Sequence, residues 1–184
     1  VYAVYSTFLQ RCYDQIVHDV SLQKQKIIFA IDRAGFVGED GETHHGLFDV
    51  AFLNTIPDIM VYSPCCFRSL DADINNSLYG YDLSVAVRYP RGAQKENVAK
   101  LDYPCIEYAV YGNKNASKVI VTYGRLTSEA INAVDALKEK GVDVFLIALN
   151  QIKPIPEQAI ELLLDKKEIY FFEEGMKSGG VAEK

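Results

Sequence analysis

Apolar and polar positions follow two rhythms along this chain. The continuous apolar runs "VYAVY" (1–5), "KIIFAI" (26–31), "DIMVYS" (58–63) and "LSVAV" (83–87) read as strands buried on both faces. Between the first two, Leu9, Cys12, Tyr13, Ile16, Val17 and Val20 keep the i, i+3, i+4 spacing of an amphipathic helix. Ser6 or Thr7 is its expected N-cap. "LFDVAFLNTI" predicts a short helix stopped by Pro57, and Ser63-Pro64 opens another through Leu78, with proline in the first turn. The rhythm restarts with a strand at 118–124, a helix at 127–141 and a strand at 142–149. A short helix at "PEQAIELLLDK" and a strand at "EIYFFEE" complete it. Residues 93–116 keep neither period and read as a linker. The alternation predicts an α/β fold of two doubly wound, mostly parallel-sheet domains, 1–92 and 117–184.

Composition narrows the partners. Nineteen Lys and Arg against 25 Asp and Glu give a net charge of −6, which argues against nucleic acid or an anionic membrane as the main partner. No apolar run is long enough to span a bilayer and no signal peptide is visible. The four cysteines, Cys12, Cys65, Cys66 and Cys105, show no C-x-x-C pair, so buried free thiols in a reducing compartment are expected. The chain opens inside an apolar run and closes on "GGVAEK", the pattern of an excerpt from a longer polypeptide.

In doubly wound folds ligands sit beyond the carboxyl ends of the strands. The three segments richest in reactive side chains all fall there: "YSTFLQR" after the first strand, "DRAGFVGEDGETHHG" after the second, and "RYPRG" after "LSVAV". That places Tyr5, Phe8, Arg11, Arg33, Asp40, His44 and Arg91 on one rim. The glycines at 35, 38, 41 and 46 spell neither a dinucleotide nor a nucleoside-triphosphate signature. A flexible surface connection remains one reading of the loop. A metal site from His44, His45, Asp40 and Glu39 is disfavoured, because adjacent side chains diverge and no further ligand is spaced to help; no metal ligand is assigned. An imidazole suits hydrogen bonding or proton transfer with a substrate, and the residues alone do not choose between His44 and His45. His18 is expected to be solvated. Arg33, Arg88 and Arg91 are either phosphate ligands or members of salt bridges. Phe8 is either a core residue or a flat face for an aromatic ligand.

"YSTFLQRCYDQIVHDV", "FAIDRAGFVGEDGETHHGLFD" and "VAVRYPRG" resemble the 1-deoxy-D-xylulose-5-phosphate synthase family of the transketolase superfamily. The resemblance is strong over 1–92 and looser through "VTYGRL" and "EEGMKSGGVAEK". It implies a partial pyrimidine-binding domain followed by a partial C-terminal domain. It also implies a decarboxylating condensation of pyruvate with D-glyceraldehyde 3-phosphate that feeds isoprenoid, thiamine and pyridoxal synthesis. Thiamine diphosphate and Mg2+ are the implied cofactors, their diphosphate and metal ligands lying outside this chain. Carried over by position, Phe8 faces the aminopyrimidine with Arg11 nearby, and Asp40 and His44 contact the reacting atoms. Tyr5, Arg33 and Arg91 hold the sugar phosphate, and His45 has no required role. A cytoplasmic homodimer is expected, or a plastid one in a plant or alga, and the 184 residues alone are expected to be inactive. The alternatives are a split transketolase or 2-oxoacid dehydrogenase β-like subunit, and a non-catalytic partner-binding module.

Overall fold

A computed structural model describes residues 1–184. The first sheet is built from β1 (Tyr2–Tyr5), β2 (Ile28–Asp32), β3 (Ile59–Tyr62) and β4 (Ser84–Arg88), with β8 (Gln151–Lys153) added at one edge. Its order is β1-β2-β4-β3-β8, parallel except for the antiparallel β3–β8 pair. The second sheet holds β5 (Tyr108–Gly112), β6 (Lys118–Tyr123), β7 (Phe145–Leu149) and β9 (Glu168–Phe172) in the order β5-β7-β6-β9. Here β6 runs parallel to both neighbours and β5 antiparallel to β7.

The fully buried strands β4 and β7 are the continuous apolar runs that the parallel-sheet pattern calls for. Edge strands break that rule: β1 and β9 are half exposed although their sequences are apolar. One core nonetheless joins the sheets, packing Ile31 and Val61 of the first with Val121 and Ile147 of the second and with Ile152 of β8.

Several elements depart from the sequence pattern. The helix expected after β1 is broken into α1 (Ser6–Leu9), a 3-10 turn, α2 (Tyr13–Gln15) and a π-helical turn at Ile16–Ser21. Neither Ser6 nor Thr7 caps it. The first helical residue is Ser6 itself, whose buried hydroxyl has no partner, and Thr7 Oγ1 instead donates to the Thr43 carbonyl (3.1 Å). The helix α3 (Asp49–Thr55) ends before Pro57 as expected. By contrast α4 (Phe67–Tyr79) starts three residues after Pro64, with Cys66 as its N-cap. The supposed linker carries a 3-10 turn at Glu96–Lys100 and the strand β5, whose bonds to β7 come from partners too distant in sequence for a local period to register. The helices α5 (Leu126–Glu139) and α6 (Glu157–Glu161) complete the second half.

Candidate active site

Parallel registry brings the chemistry to one edge. Tyr5 lies opposite Asp32 across β1 and β2, and Ile31 opposite Arg88 across β2 and β4, so the segments leaving these strands emerge side by side. The loop after β2 is closed at its base by paired backbone bonds between Gly35 and Gly46 (2.9 and 2.8 Å). Gly46 leaves no room for a side chain: a Cβ there would meet the Arg33 carbonyl, and Ser6 Cβ at 2.6 Å. Arg33 turns the chain at φ 61°, a left-handed conformation costly for a non-glycine residue. Its side chain is held in compensation.

Three contacts hold it. Arg33 Nη1 donates to Asp32 Oδ2 (2.6 Å), Nε donates to Asp40 Oδ2 (2.7 Å), and the guanidinium lies 3.8 Å from the centre of the Tyr5 ring. The other oxygen of Asp40 accepts from Arg91 Nη1 (2.7 Å), while Arg91 Nη2 reaches Glu39 at 3.5 Å. The Arg33 hydrogen bond, with Arg91 and His44 adding to it, holds the Asp40 carboxyl below the usual carboxylate range. On the other side, Tyr5 stacks on Phe8 (5.7 Å, 17°). His44 meets both rings edge-on, at 5.5 Å from Phe8 and 6.3 Å from Tyr5. Arg11 lies 5.6 Å from the Phe8 ring. The seven residues picked out in the sequence therefore form one connected set of contacts, running from Arg11 through Phe8 and Tyr5 to Arg33, Asp40 and Arg91, with His44 set against the Phe8–Tyr5 pair.

The histidines separate by geometry. His45 Nδ1 accepts the Val37 N–H (3.1 Å) and its ring packs edge-on against Phe36 (5.1 Å), so it props the loop from within. His44 Nδ1 contacts only the neighbouring Thr43 hydroxyl (3.0 Å) and its ring faces the aromatic pair. His18 is exposed beside Asp14 (3.0 Å).

Two cavities flank the series. One of about 400 Å3 is lined by Phe8, Arg11, Thr7, His45 and Phe48. Phe8, 37% exposed overall, contributes an aromatic ring to this lining, which suits a ring-shaped ligand. The other, about 820 Å3, lies between the halves and takes in Arg33, Arg91, Lys95, Cys65, Cys66 and Arg125. Arg125 forks onto Glu174 from Nε (2.9 and 3.0 Å).

Arg88 proves to be the salt-bridge partner of the two alternatives, but in a buried pair rather than a surface one. Its side chain is 3% exposed and grips Asp49 twice, at 2.9 and 3.1 Å, while Nη1 donates to Ser63 Oγ (3.2 Å) and the guanidinium faces the Tyr123 ring at 5.5 Å. A lone arginine ending the apolar run "VAV" was the available signal for a buried charge. Asp32 neighbours Arg33 in the chain, yet adjacency alone did not mark it as a partner; Glu174, 49 positions from Arg125, left no sequence signal because that pairing is made by folding. The cysteines are all free and half-buried, rather than buried.

Residues 1–95 match the family model described as the transketolase pyrimidine binding domain, and residues 107–184 match the transketolase C-terminal domain. The chain belongs to the transketolase family. Among curated relatives, the 1-deoxy-D-xylulose-5-phosphate synthase of Clostridium tetani is 38% identical over 182 residues, covering 98% of this chain and 29% of the relative. That of Caldanaerobacter subterraneus is 42% identical over 185 residues, again 98% of this chain and 29% of the relative. The chain thus spans 29% of the length of these two relatives. A solved structure described as a split gene transketolase, inactive beta4 tetramer, superposes with a TM-score of 0.80 at 21% identity. It covers 98% of this chain and 59% of the other, a likeness of fold. No helix of this transketolase-family chain is long and apolar enough to cross a membrane.

Proposed function

We propose that these residues form the substrate-facing part of a 1-deoxy-D-xylulose-5-phosphate synthase. The enzyme would join pyruvate to D-glyceraldehyde 3-phosphate with loss of CO2. One observation carries the reading: Arg33 and Arg91, from the ends of two neighbouring strands, converge on the two oxygens of one carboxylate, Asp40. Two guanidiniums so placed present forked donors to any dianion that replaces or joins that carboxylate, each charge-assisted bond contributing about 1.5–3 kcal/mol. The Tyr5 hydroxyl end of the stacked pair completes the phosphate pocket.

Thiamine diphosphate, when bound, supplies the electron sink for the decarboxylation. Phe8 would pack against its aminopyrimidine, with Arg11 beside it. His44, whose ring sits against Phe8 and Tyr5, holds or moves a proton at the substrate oxygen, and Asp40 orients both arginines and the reacting end of the acceptor. The diphosphate and Mg2+ ligands come from residues outside these 184, and the isolated chain turns over no substrate. The working enzyme is a cytoplasmic homodimer, with residues 1–92 and 117–184 as its two domains here.

The similarity to the split gene transketolase favours a second reading, in which the site is completed by a separate chain. A non-catalytic binding module is disfavoured by the assembled rim. The test is product formation by the longest natural polypeptide containing these residues, given pyruvate and D-glyceraldehyde 3-phosphate with thiamine diphosphate and Mg2+. Formation of 1-deoxy-D-xylulose 5-phosphate supports the synthase. Turnover only of ketose donors, with none of pyruvate, supports a transketolase instead.

A further inference from the structure

The large cavity between the halves holds a feature that the proposed chemistry does not use. Cys66 caps α4: its Sγ accepts the Ser69 N–H at 3.5 Å and lies 3.1 Å from the Tyr103 hydroxyl. Cys65 Sγ lies 3.8 Å from the same hydroxyl, so one phenol stands over two adjacent thiols. Arg68 sits 4.7 Å from the centre of the Tyr103 ring. Both cysteines line the 820 Å3 cavity, whose lining also includes Arg33, Arg91, Lys95 and Arg125 against the acids Asp32 and Glu129. Cys66 thus combines hydrogen-bond donors, a helix N-terminus and a place in a cavity lined by more basic than acidic side chains.

We propose that Cys66 is a nucleophilic thiolate that undergoes exchange with small anionic disulfides, and that the resulting mixed disulfide occupies this cavity. The thiolate attacks one sulfur of the disulfide, a Cys66–sulfur bond forms, the original sulfur–sulfur bond breaks, and the leaving thiolate takes a proton from solvent. Cys66 is oxidised and half of the added disulfide is reduced, so no other oxidant is needed. The titratable groups facing Cys66 agree with this assignment. Interaction with the adjacent Cys65 thiol, aided by Ser69 and Tyr103, holds Cys66 below the usual thiol range against the effect of burial. Cys65 is pushed up correspondingly and keeps its proton. Asp73, further along α4, is pushed up to about 8 by burial, which reduces the negative charge it places near Cys66 at pH 6. The adduct fills the space beside Arg91 and closes the cavity reversibly.

The experiment treats the chain with glutathione disulfide at pH 6 and at pH 8, followed by intact mass and peptide mapping. One adduct is expected, on Cys66, removed by dithiothreitol, with a rate that changes far less between the two pH values than an ordinary thiol's does. An ordinary thiol titrating near 8.5 slows on the order of 100-fold over that range. Cys66→Ser, which retains an N-capping oxygen, should abolish the adduct, and Cys65→Ser should keep it on Cys66. The cationic disulfide cystamine should react several-fold more slowly than glutathione disulfide. Labelling of Cys12 or Cys105 at the same rate as Cys66 overturns the proposal. So does the pH dependence of an ordinary thiol at Cys66, or faster reaction with cystamine. Site mapping on the unmodified sequence decides the matter even where a variant folds poorly.

Discussion

Arg33 and Asp40 are locked together across the loop after β2, Nε to Oδ2 at 2.7 Å, and Arg91 takes the remaining carboxylate oxygen at the same distance. One carboxylate therefore stands where the account puts a phosphate, and the two compete for the same donors. Asp40→Asn keeps the shape and removes the charge. It should raise affinity for inorganic phosphate by roughly fivefold or more, each charge-assisted bond being worth about 1.5–3 kcal/mol. Isothermal titration checks it, and equal or weaker phosphate binding would count against the shared clamp. The pH dependence has a definite sign. Because Arg33 depresses the Asp40 carboxyl, the clamp's contribution is complete above the ordinary carboxylate value of about 3.9 and disappears as pH falls through the lower folded value.

The Arg88–Asp49 pair is buried with both carboxylate oxygens engaged. Removing one partner strands a charge among Tyr123, Ser63 and the strand ends. Arg88→Met and Asp49→Ala should each lower unfolding free energy by about 3–5 kcal/mol. The double variant should lose much less than the sum, because no charge is then left unpaired. Urea denaturation of the three variants measures this, and additive losses would show that the pair is not coupled.

Lys153 of β8 ties the second half to the first. Its Nζ donates to the Leu53 carbonyl (2.7 Å) and to that of Ile56, capping the carboxyl end of α3. Burial pushes the lysine down to about 8. Below that value the ammonium is charged in both folded and unfolded chains, so the desolvation cost is borne in full. As pH rises from about 8 toward the ordinary lysine value of about 10.4 the unfolded chain binds more protons, and stability from this group increases. Wild type should thus gain stability relative to Lys153→Met across that window. Lys153→Met should also lose about 1–3 kcal/mol at neutral pH from its two unpaired carbonyls. A flat difference between the two proteins from pH 7 to pH 10 would refute the titration.

How far the sequence revealed this arrangement depends on the range of each interaction. β2, β3, β4, β6 and β7 were legible because a strand buried on both faces must be apolar throughout, whatever its neighbours. The position of the rim followed from parallel order, since ligand-facing loops then leave from one edge. β5 and β8 were not legible. β8 has only three residues, Gln151–Lys153, and its place beside β3 comes from a partner about 90 positions away. The residues picked out on the rim do lie beside one another, but their internal bonding was not legible: no local pattern says that Asp40 lies between Arg33 and Arg91, or that His45 turns inward to the Val37 amide. The broken helix after β1 kept its apolar face and lost its regular turns, a distinction that residue spacing does not carry.

The central claim is that Arg91 and Arg33 grip the phosphate of the aldehyde acceptor. Its most direct measurement is steady-state kinetics of Arg91→Ala in the longest natural polypeptide containing this stretch, comparing D-glyceraldehyde 3-phosphate, unphosphorylated D-glyceraldehyde and pyruvate. The account predicts that KM for the phosphorylated aldehyde rises on the order of tenfold or more, the loss of one charge-assisted contact. The values for pyruvate and for unphosphorylated glyceraldehyde should change less than about threefold. Equal losses on all three substrates would contradict it.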